Sequence, residues 1–160
     1  MVISKILPLF FIFLFACSSP SKNEDLFFSL KGEIKPNNPY ELIFTLKNLS
    51  NHTMEIYKHN FFTVFLGLDA KIKKEYLFQA VALATSDETI ILKENGVYRK
   101  AFELESTFIH IVKRAKNNAI TVTWDTTIVP RSVDGKELHH SDTTYRQRFI
   151  GKVIIPRQLN

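Results

Sequence analysis

The amino-acid sequence predicts an all-β domain that folds as an antiparallel β-sandwich. Its apolar residues alternate with polar ones over short segments, and this period of two is typical of a strand with one buried face. About eight or nine such segments follow one another, separated by turn residues, at the spacing expected of sandwiches. An eight-stranded β-barrel is the alternative, because alternation alone does not distinguish an open sheet from a closed one.

The first two predicted strands form a hairpin. Leu26, Phe28, Leu30 and Ile34 share one parity, and polar residues occupy the other. The Pro-Asn-Asn-Pro run at residues 36–39 is a strong turn signal. A second alternating segment follows at once, with its apolar residues at Leu42, Phe44 and Leu46.

The middle of the chain continues with short strands. We expect a turn at residues 48–52, a strand at 53–58, and a more apolar strand at 61–68. The alanine-containing stretch at 76–85 is predicted as a strand, with a short helix as the alternative, and another strand follows at 89–93.

The next turn is predicted at residues 94–96, where Gly96 can take a positive φ angle without steric cost. A strand at 98–104 follows. The stretch at 105–114 is either a continuation of that strand or one or two turns of helix, and a turn follows at 116–118.

The most regular alternation in the chain spans residues 120–128 and places Trp124 on the core side, where its indole N–H requires a partner. Residues 130–142 are polar and show no alternation, which predicts a surface loop that contains Asp134-Gly135. Alternation returns at 145–155 and indicates the last strand.

The N-terminus has the organisation of a signal peptide. Lys5 precedes an apolar run of about ten residues, which is too short for a helix to span a bilayer core, since that takes about 20 residues. The run ends in Leu14-Phe15-Ala16-Cys17, and Cys17 is the only cysteine in the chain. This ending resembles the lipobox of bacterial lipoproteins, although Phe15 is bulkier than the residue usual at its position.

The lipobox resemblance implies that residues 1–16 are removed and that Cys17 carries diacylglycerol and an amide-linked acyl chain such as palmitate. Residues 17–25 then form a polar linker, and residues 26–160 form a single domain. The anchored protein would lie in the cell envelope. Ser18, in place of aspartate, implies the outer membrane by the enterobacterial sorting rule.

Composition narrows the classes of function. The chain of 160 residues has a net charge of +5, and a lone cysteine excludes an intramolecular disulfide. Two small groups of basic residues are present, but neither is interleaved with aromatic residues as in a single-strand nucleic-acid platform, so we expect no nucleic-acid partner. The sequence contains no phosphate loop, dinucleotide fingerprint or zinc-binding cysteine pair, and we expect no cofactor. The basic groups are Lys113, Arg114 and Lys116, and Lys71, Lys73 and Lys74.

Two patterns resemble known β-sandwich modules. They are Leu42-x-Phe44-x-Leu46-x-Asn48-x-Ser50 and Leu92-x-x-x-Gly96-x-Tyr98, followed by the tryptophan strand. Together they resemble immunoglobulin-like envelope domains and the sandwich modules that accompany bacterial proteases. The resemblance implies a fold and not an activity, because such folds have many functions.

One local group of residues could support chemistry. His139, His140 and Asp142 could ligate a metal, but no third histidine stands at a suitable spacing, so they are weak candidates. Ser141 lies in no nucleophile-elbow context, and no catalytic residue is predicted. The other histidines, His52, His59 and His110, are predicted to lie at the surface or to be partly buried.

These observations favour a lipid-anchored binding or accessory module that contacts a protein or glycan of the envelope and is not catalytic. A hydrolase assembled from dispersed residues is one alternative. A protease inhibitor with an ordered, protruding loop is another. The sequence predicts no oligomeric state.

Overall fold

The computed structural model describes residues 26–58, 69–72, 75–77, 88–139 and 141–158. These residues form eleven β-strands and two short α-helices. The strands are β1 Phe28–Lys35, β2 Asn38–Asn48, β3 Met54–Tyr57, β4 Asp69–Ile72, β5 Glu75–Tyr76, β6 Thr89–Leu92, β7 Val97–Glu103, β8 Ile120–Ile128, β9 Ser132–Val133, β10 Lys136–Glu137 and β11 Gln147–Ile155; the helices are α1 Leu104–Thr107 and α2 Ile111–Ala115.

The strands pair into three antiparallel sheets. Their orders are β1-β2-β7, β10-β9-β3-β6 and β11-β8-β4-β5. The sheets do not close into a barrel, and their inner faces share one hydrophobic core. The prediction of an all-β, sandwich-like fold is therefore confirmed, and the barrel alternative is not the arrangement that these sheets adopt.

The predicted N-terminal hairpin is present as β1 and β2. Its turn is shorter than predicted, because Asn38 and Pro39 already belong to β2 and only residues 36–37 make the turn. The Asn38 side chain accepts the Tyr40 N–H at 3.1 Å, which fixes the start of β2. The alternation has the predicted consequence for Leu30, Leu42, Phe44 and Leu46, which are all buried. It is wrong for Leu26, which precedes the first residue of β1 and is 44% exposed.

Trp124 of β8 occupies a slot between two sheets. It is buried, as predicted, and its ring meets the Phe44 ring edge-to-face at a centroid distance of 5.1 Å. Gly151 of β11 pairs with Trp124 in the register, and a Cβ there would overlap the indole. A Cβ on Gly32 of β1 would lie 2.7 Å from Trp124 Cη2. The two glycines therefore provide the space that the indole fills.

Two polar atoms in this part of the core have no partner. Among the described residues, neither the Trp124 Nε1–H nor the hydroxyl of the buried Thr126 makes a hydrogen bond. The partner that burial of the indole N–H requires is thus not found in those residues. Packing, rather than polar contacts, holds Trp124 in its slot.

The turn between β6 and β7 differs from the prediction in one respect. The positive φ angle is at Asn95, with a value of 57°, and not at Gly96. Gly96 is required for another reason, because a Cβ there would lie 2.8 Å from the Lys93 carbonyl oxygen. Close approach of the backbone, and not a left-handed conformation, explains this glycine.

The prediction of a surface loop at residues 130–142 is wrong for its first half. Ser132 and Val133 form β9, which pairs with both β3 and β10, and both residues are buried. Asp134 and Gly135 make the hairpin turn, with φ angles of 50° and 78°. Two-residue strands are too short to show alternation, which is why the sequence pattern did not indicate them.

Helices α1 and α2 resolve the open prediction for residues 105–114 in favour of helix. Thr107 is buried, and its hydroxyl donates to the Glu103 carbonyl at 2.9 Å. His110 separates the helices in a left-handed conformation with a φ angle of 64°. Leu104, Phe108, Ile111 and Ala115 are also buried, so the pair covers one end of the core.

Two sequence predictions fall largely outside the described residues. These are the strand at 61–68 and most of the strand at 76–85, of which only residues 76–77 are described. Within the described ranges, no helix has the length and apolar character needed to cross a bilayer.

Candidate functional site

The predicted metal candidates are only partly described. His140 lies outside the described residues, whereas His139 and Asp142 are joined by a turn in which the Asp142 N–H donates to the His139 carbonyl at 2.9 Å. The Asp142 carboxylate accepts the Thr144 N–H at 2.9 Å, and this bond lowers the pKa of Asp142. Across the part of the chain that the structure describes, no three metal-ligating side chains come together. Cys17, the predicted lipidation site, also lies outside the described residues.

The structure brings together a histidine and a carboxylate that the sequence did not connect. His52 Nδ1 lies 2.6 Å from Asp134 Oδ2, although the two residues are 82 positions apart. Asp134 Oδ1 accepts the Thr53 N–H at 2.8 Å, and the Asp134 N–H donates to the Thr53 carbonyl at 2.8 Å. The hydrogen bond from His52, followed by that from Thr53, lowers the pKa of Asp134.

Asn48 positions the backbone that carries His52. This residue is fully buried, and its side-chain Nδ2 donates to the carbonyls of His52 at 2.7 Å and Leu92 at 2.9 Å. Its Oδ1 accepts the backbone N–H of Ser50 at 3.0 Å and the hydroxyl of Ser50 at 2.7 Å. Asn48 therefore joins two turns. The turn predicted at residues 48–52 is present but begins after Asn48, which still belongs to β2.

The His52 and Asp134 pair has part of the geometry of a nucleophile-activating site. A carboxylate on Nδ1 orients an imidazole, as in serine hydrolases. Such a site also requires a hydroxyl or thiol on the other ring nitrogen, and none of the described residues supplies one. The His52 ring instead packs edge-on against Tyr145 at a centroid distance of 6.1 Å. The pair fastens the β9–β10 turn to the turn before β3.

Arg131 fixes the same hairpin from the outside. Its guanidinium lies 2.8 Å from Glu137 and 3.5 Å from Glu55, and it stacks over the Tyr57 ring at 5.5 Å. Glu55 also accepts the Ser132 hydroxyl at 3.0 Å. Through these contacts, the charged side chains of Arg131 and Glu55 hold the β9–β10 hairpin against β3.

The outer face of β8 and β11 has a different character. Ile150 is 59% exposed and Ile154 is 58% exposed, and both point away from the core with the exposed Lys152 between them. We call this surface the β8–β11 face. It consists of Arg148, Ile150, Lys152 and Ile154 on β11 and of Thr121, Thr123, Asp125 and Thr127 on β8.

One bidentate ion pair orders this face. Arg148 Nε donates to Asp125 Oδ1 at 2.7 Å, and Arg148 Nη2 donates to Asp125 Oδ2. Arg148 thereby lowers the pKa of the Asp125 carboxyl, chiefly through the hydrogen bond. Because Arg148 and Asp125 neutralise each other, Lys152 is the charge that stands between the two isoleucines. The face therefore carries two exposed aliphatic side chains with the cation of Lys152 between them.

In comparisons with known proteins, no family model, no curated protein and no solved structure matches this chain.

Proposed function

We propose that the chain is a lipid-anchored binding module of the bacterial cell envelope, attached through Cys17, and that it contacts a protein partner without catalysing a reaction. The support for the anchor is the Leu14-Phe15-Ala16-Cys17 run behind a short apolar segment, with no other cysteine in the chain. Ser18 favours the outer membrane. The resemblance to immunoglobulin-like envelope domains belongs to this proposal.

The observation that carries the binding function is the pair of exposed isoleucines on the β8–β11 face. Ile150 and Ile154 are each more than half exposed, and an aliphatic side chain gains most from leaving water when it meets another apolar surface. Lys152, between them, favours an acidic group on the partner. A protein surface with apolar and acidic residues therefore fits this face better than a purely polar glycan.

The anchor is tested by fractionating cells of the native host that express the wild type or Cys17→Ala. We expect wild type in the membrane fraction with a diacylglycerol-modified, processed N-terminus by mass spectrometry, and we expect Cys17→Ala to lose that modification. Ser18→Ala is the matched control, because it leaves the lipobox intact. An unmodified wild-type Cys17 would contradict the anchor.

The binding face is tested by photo-crosslinking from a reactive residue placed at position 150 in intact envelopes. Position 91 is the matched control, because Ile91 on β6 is 65% exposed on a different sheet. The partner crosslinked from position 150 is then purified and titrated with wild type, Ile150→Glu and Ile91→Glu. We expect only Ile150→Glu to weaken binding. Equal weakening of binding by both variants would contradict the proposal that the partner binds at the β8–β11 face.

One observation favours the hydrolase alternative, namely the His52 and Asp134 pair. If the chain were a hydrolase of this type, a panel of activated esters and amides would be cleaved by wild type and not by His52→Ala. The protease-inhibitor alternative gains no support from residues 130–138, because the hairpin there packs on β3 instead of protruding.

A further inference from the structure

Two exposed leucines lie at the end of the domain where β1 begins and β2 ends. Leu26 is 44% exposed and Leu49 is 41% exposed. They belong to neighbouring segments, since the Leu49 N–H donates to the Phe27 carbonyl at 2.8 Å. The Phe27 ring packs edge-on against Tyr145 at a centroid distance of 4.8 Å. We call these four residues, Leu26, Phe27, Leu49 and Tyr145, the tether end.

The tether end rests on a well-connected set of turns. The Asn48 N–H donates to the Gly96 carbonyl at 3.0 Å, which joins the end of β2 to the turn between β6 and β7. The Phe28 N–H donates to the Gln147 side chain at 2.9 Å, which joins the start of β1 to the start of β11. These two hydrogen bonds therefore hold in place the backbone next to Leu26 and next to Leu49.

We propose that the tether end lies on the lipid surface, with Leu26 and Leu49 inserted among the acyl chains. This inference rests on the proposed lipid anchor at Cys17. Leu26 follows Cys17 by nine positions, so the linker can reach at most about 30 Å when fully extended. The anchor therefore keeps Leu26, and Leu49 beside it, within a short reach of the lipid surface.

Apolar and aromatic residues, and not net charge, are the basis for placing the tether end on the lipid surface. Tyr145 has an amphipathic ring, and tyrosine concentrates at membrane interfaces. Phe27, whose ring packs against it, adds apolar surface only. Lys93 and Arg146 are exposed at the same end, but so are Glu94 and Asp134. We therefore expect insertion into zwitterionic as well as anionic lipid.

The opposite end of the domain provides an internal control. Glu103, at the end of β7, pairs with Glu41 near the start of β2, so α1 and α2 lie at the end of the sandwich away from Asn48. Ile109, between these helices, is 45% exposed, which is close to the value for Leu49. The proposal places Leu49 in lipid and Ile109 in water.

The experiment uses the full lipidated protein in vesicles of phosphatidylethanolamine and phosphatidylglycerol. Lipidation consumes the thiol of Cys17, so Leu49→Cys and Ile109→Cys each supply one free thiol for an environment-sensitive fluorophore. Quenching by doxyl-labelled lipid and by aqueous iodide is measured for both. The vesicles contain no other protein, so contact with a protein partner cannot produce the quenching by lipid.

We expect the label at position 49 to lose fluorescence to doxyl lipid and to be protected from iodide, with the opposite pattern at position 109. If Cys17 is lipidated but both labels respond alike, the orientation is wrong and the anchor stands. If mass spectrometry shows no lipid on Cys17, the anchor fails and the orientation fails with it. Stronger lipid quenching at position 109 would reverse the orientation.

Discussion

The two faces of β8 and β11 are formed by the same strands but differ in how closely their side chains are packed. On the inner face, Trp124 fills a slot that requires glycine at positions 32 and 151. On the outer face, Ile150 and Ile154 are more than half exposed. The difference indicates that the inner face contributes to folding stability, whereas the outer face is available for recognition.

The largest expected effect comes from emptying the inner slot. Trp124→Ala should lower the free energy of unfolding by about 3–5 kcal/mol, the usual loss for a large buried aromatic residue. Chemical denaturation followed by far-ultraviolet circular dichroism measures it, since the variant lacks the only tryptophan. The wild-type tryptophan should emit at short wavelength. A water-exposed emission maximum would contradict the burial of Trp124.

A second, smaller effect should follow from filling the same slot. Gly151→Ala places a methyl group against the indole, and overpacking of this kind costs about 1–3 kcal/mol. The matched test combines Gly151→Ala with Trp124→Leu, which removes the atoms that the methyl group meets. We expect the alanine to cost less in that background. Additive losses would mean that the indole is not what excludes a side chain at position 151.

On the outer face, Ile150→Thr should change the free energy of unfolding by no more than about 0.5 kcal/mol, as is usual for exposed positions without special contacts. Ile91→Thr is the control on another sheet. Denaturation of both variants checks this expectation. A loss as large as that of Trp124→Ala would mean that the outer face is packed and unavailable to a partner.

The smallest expected effect concerns acid and the Arg148 to Asp125 pair. The pKa of Asp125 is lowered from 3.8 in the folded chain, so the pair stabilises the fold above pH 3.8 and this stabilisation is lost as the pH falls through the lower, folded value. As the pH falls from 3.8 through the folded pKa of Asp125, the denaturant midpoint of wild type should therefore approach the midpoint of Asp125→Asn. The difference between the two midpoints should also be small, because both side chains are exposed and salt screens such pairs. A difference that grows in acid would have the wrong sign.

The alternation of apolar and polar residues predicted those strands that are long enough to show it over several residues. The nine residues of β8 alternate throughout, so both the strand and the burial of Trp124 could be predicted. The β9–β10 hairpin could not, because its strands have two residues each and only β9 pairs with another strand, β3, which lies far away in the sequence. The Asp134-Gly135 pair was the available signal, since this dipeptide favours hairpin turns with two positive φ angles.

The candidate site was less predictable than the fold. The link between His52 and Asp134 depends on how β3 and β9 pair, and no local pattern reports the pairing of segments about 80 residues apart. The alternation in β11 sets Ile150 and Ile154 on the parity opposite to that of Phe149, Val153 and Ile155. Because apolar residues occupy both parities, this pattern alone did not indicate that the two isoleucines would be exposed.

The hydrogen bond from the Phe28 N–H to Gln147 has a mechanical consequence. A load that enters through the N-terminal linker meets β1 at its first residue and is directed along the strand, across the hydrogen bonds that join β1 to β2. Those bonds lie perpendicular to the strands, so the load is shared by many of them and does not open them one at a time. The β1–β2 pairing should therefore resist a pull along β1 better than a pull that separates the two strands from one end.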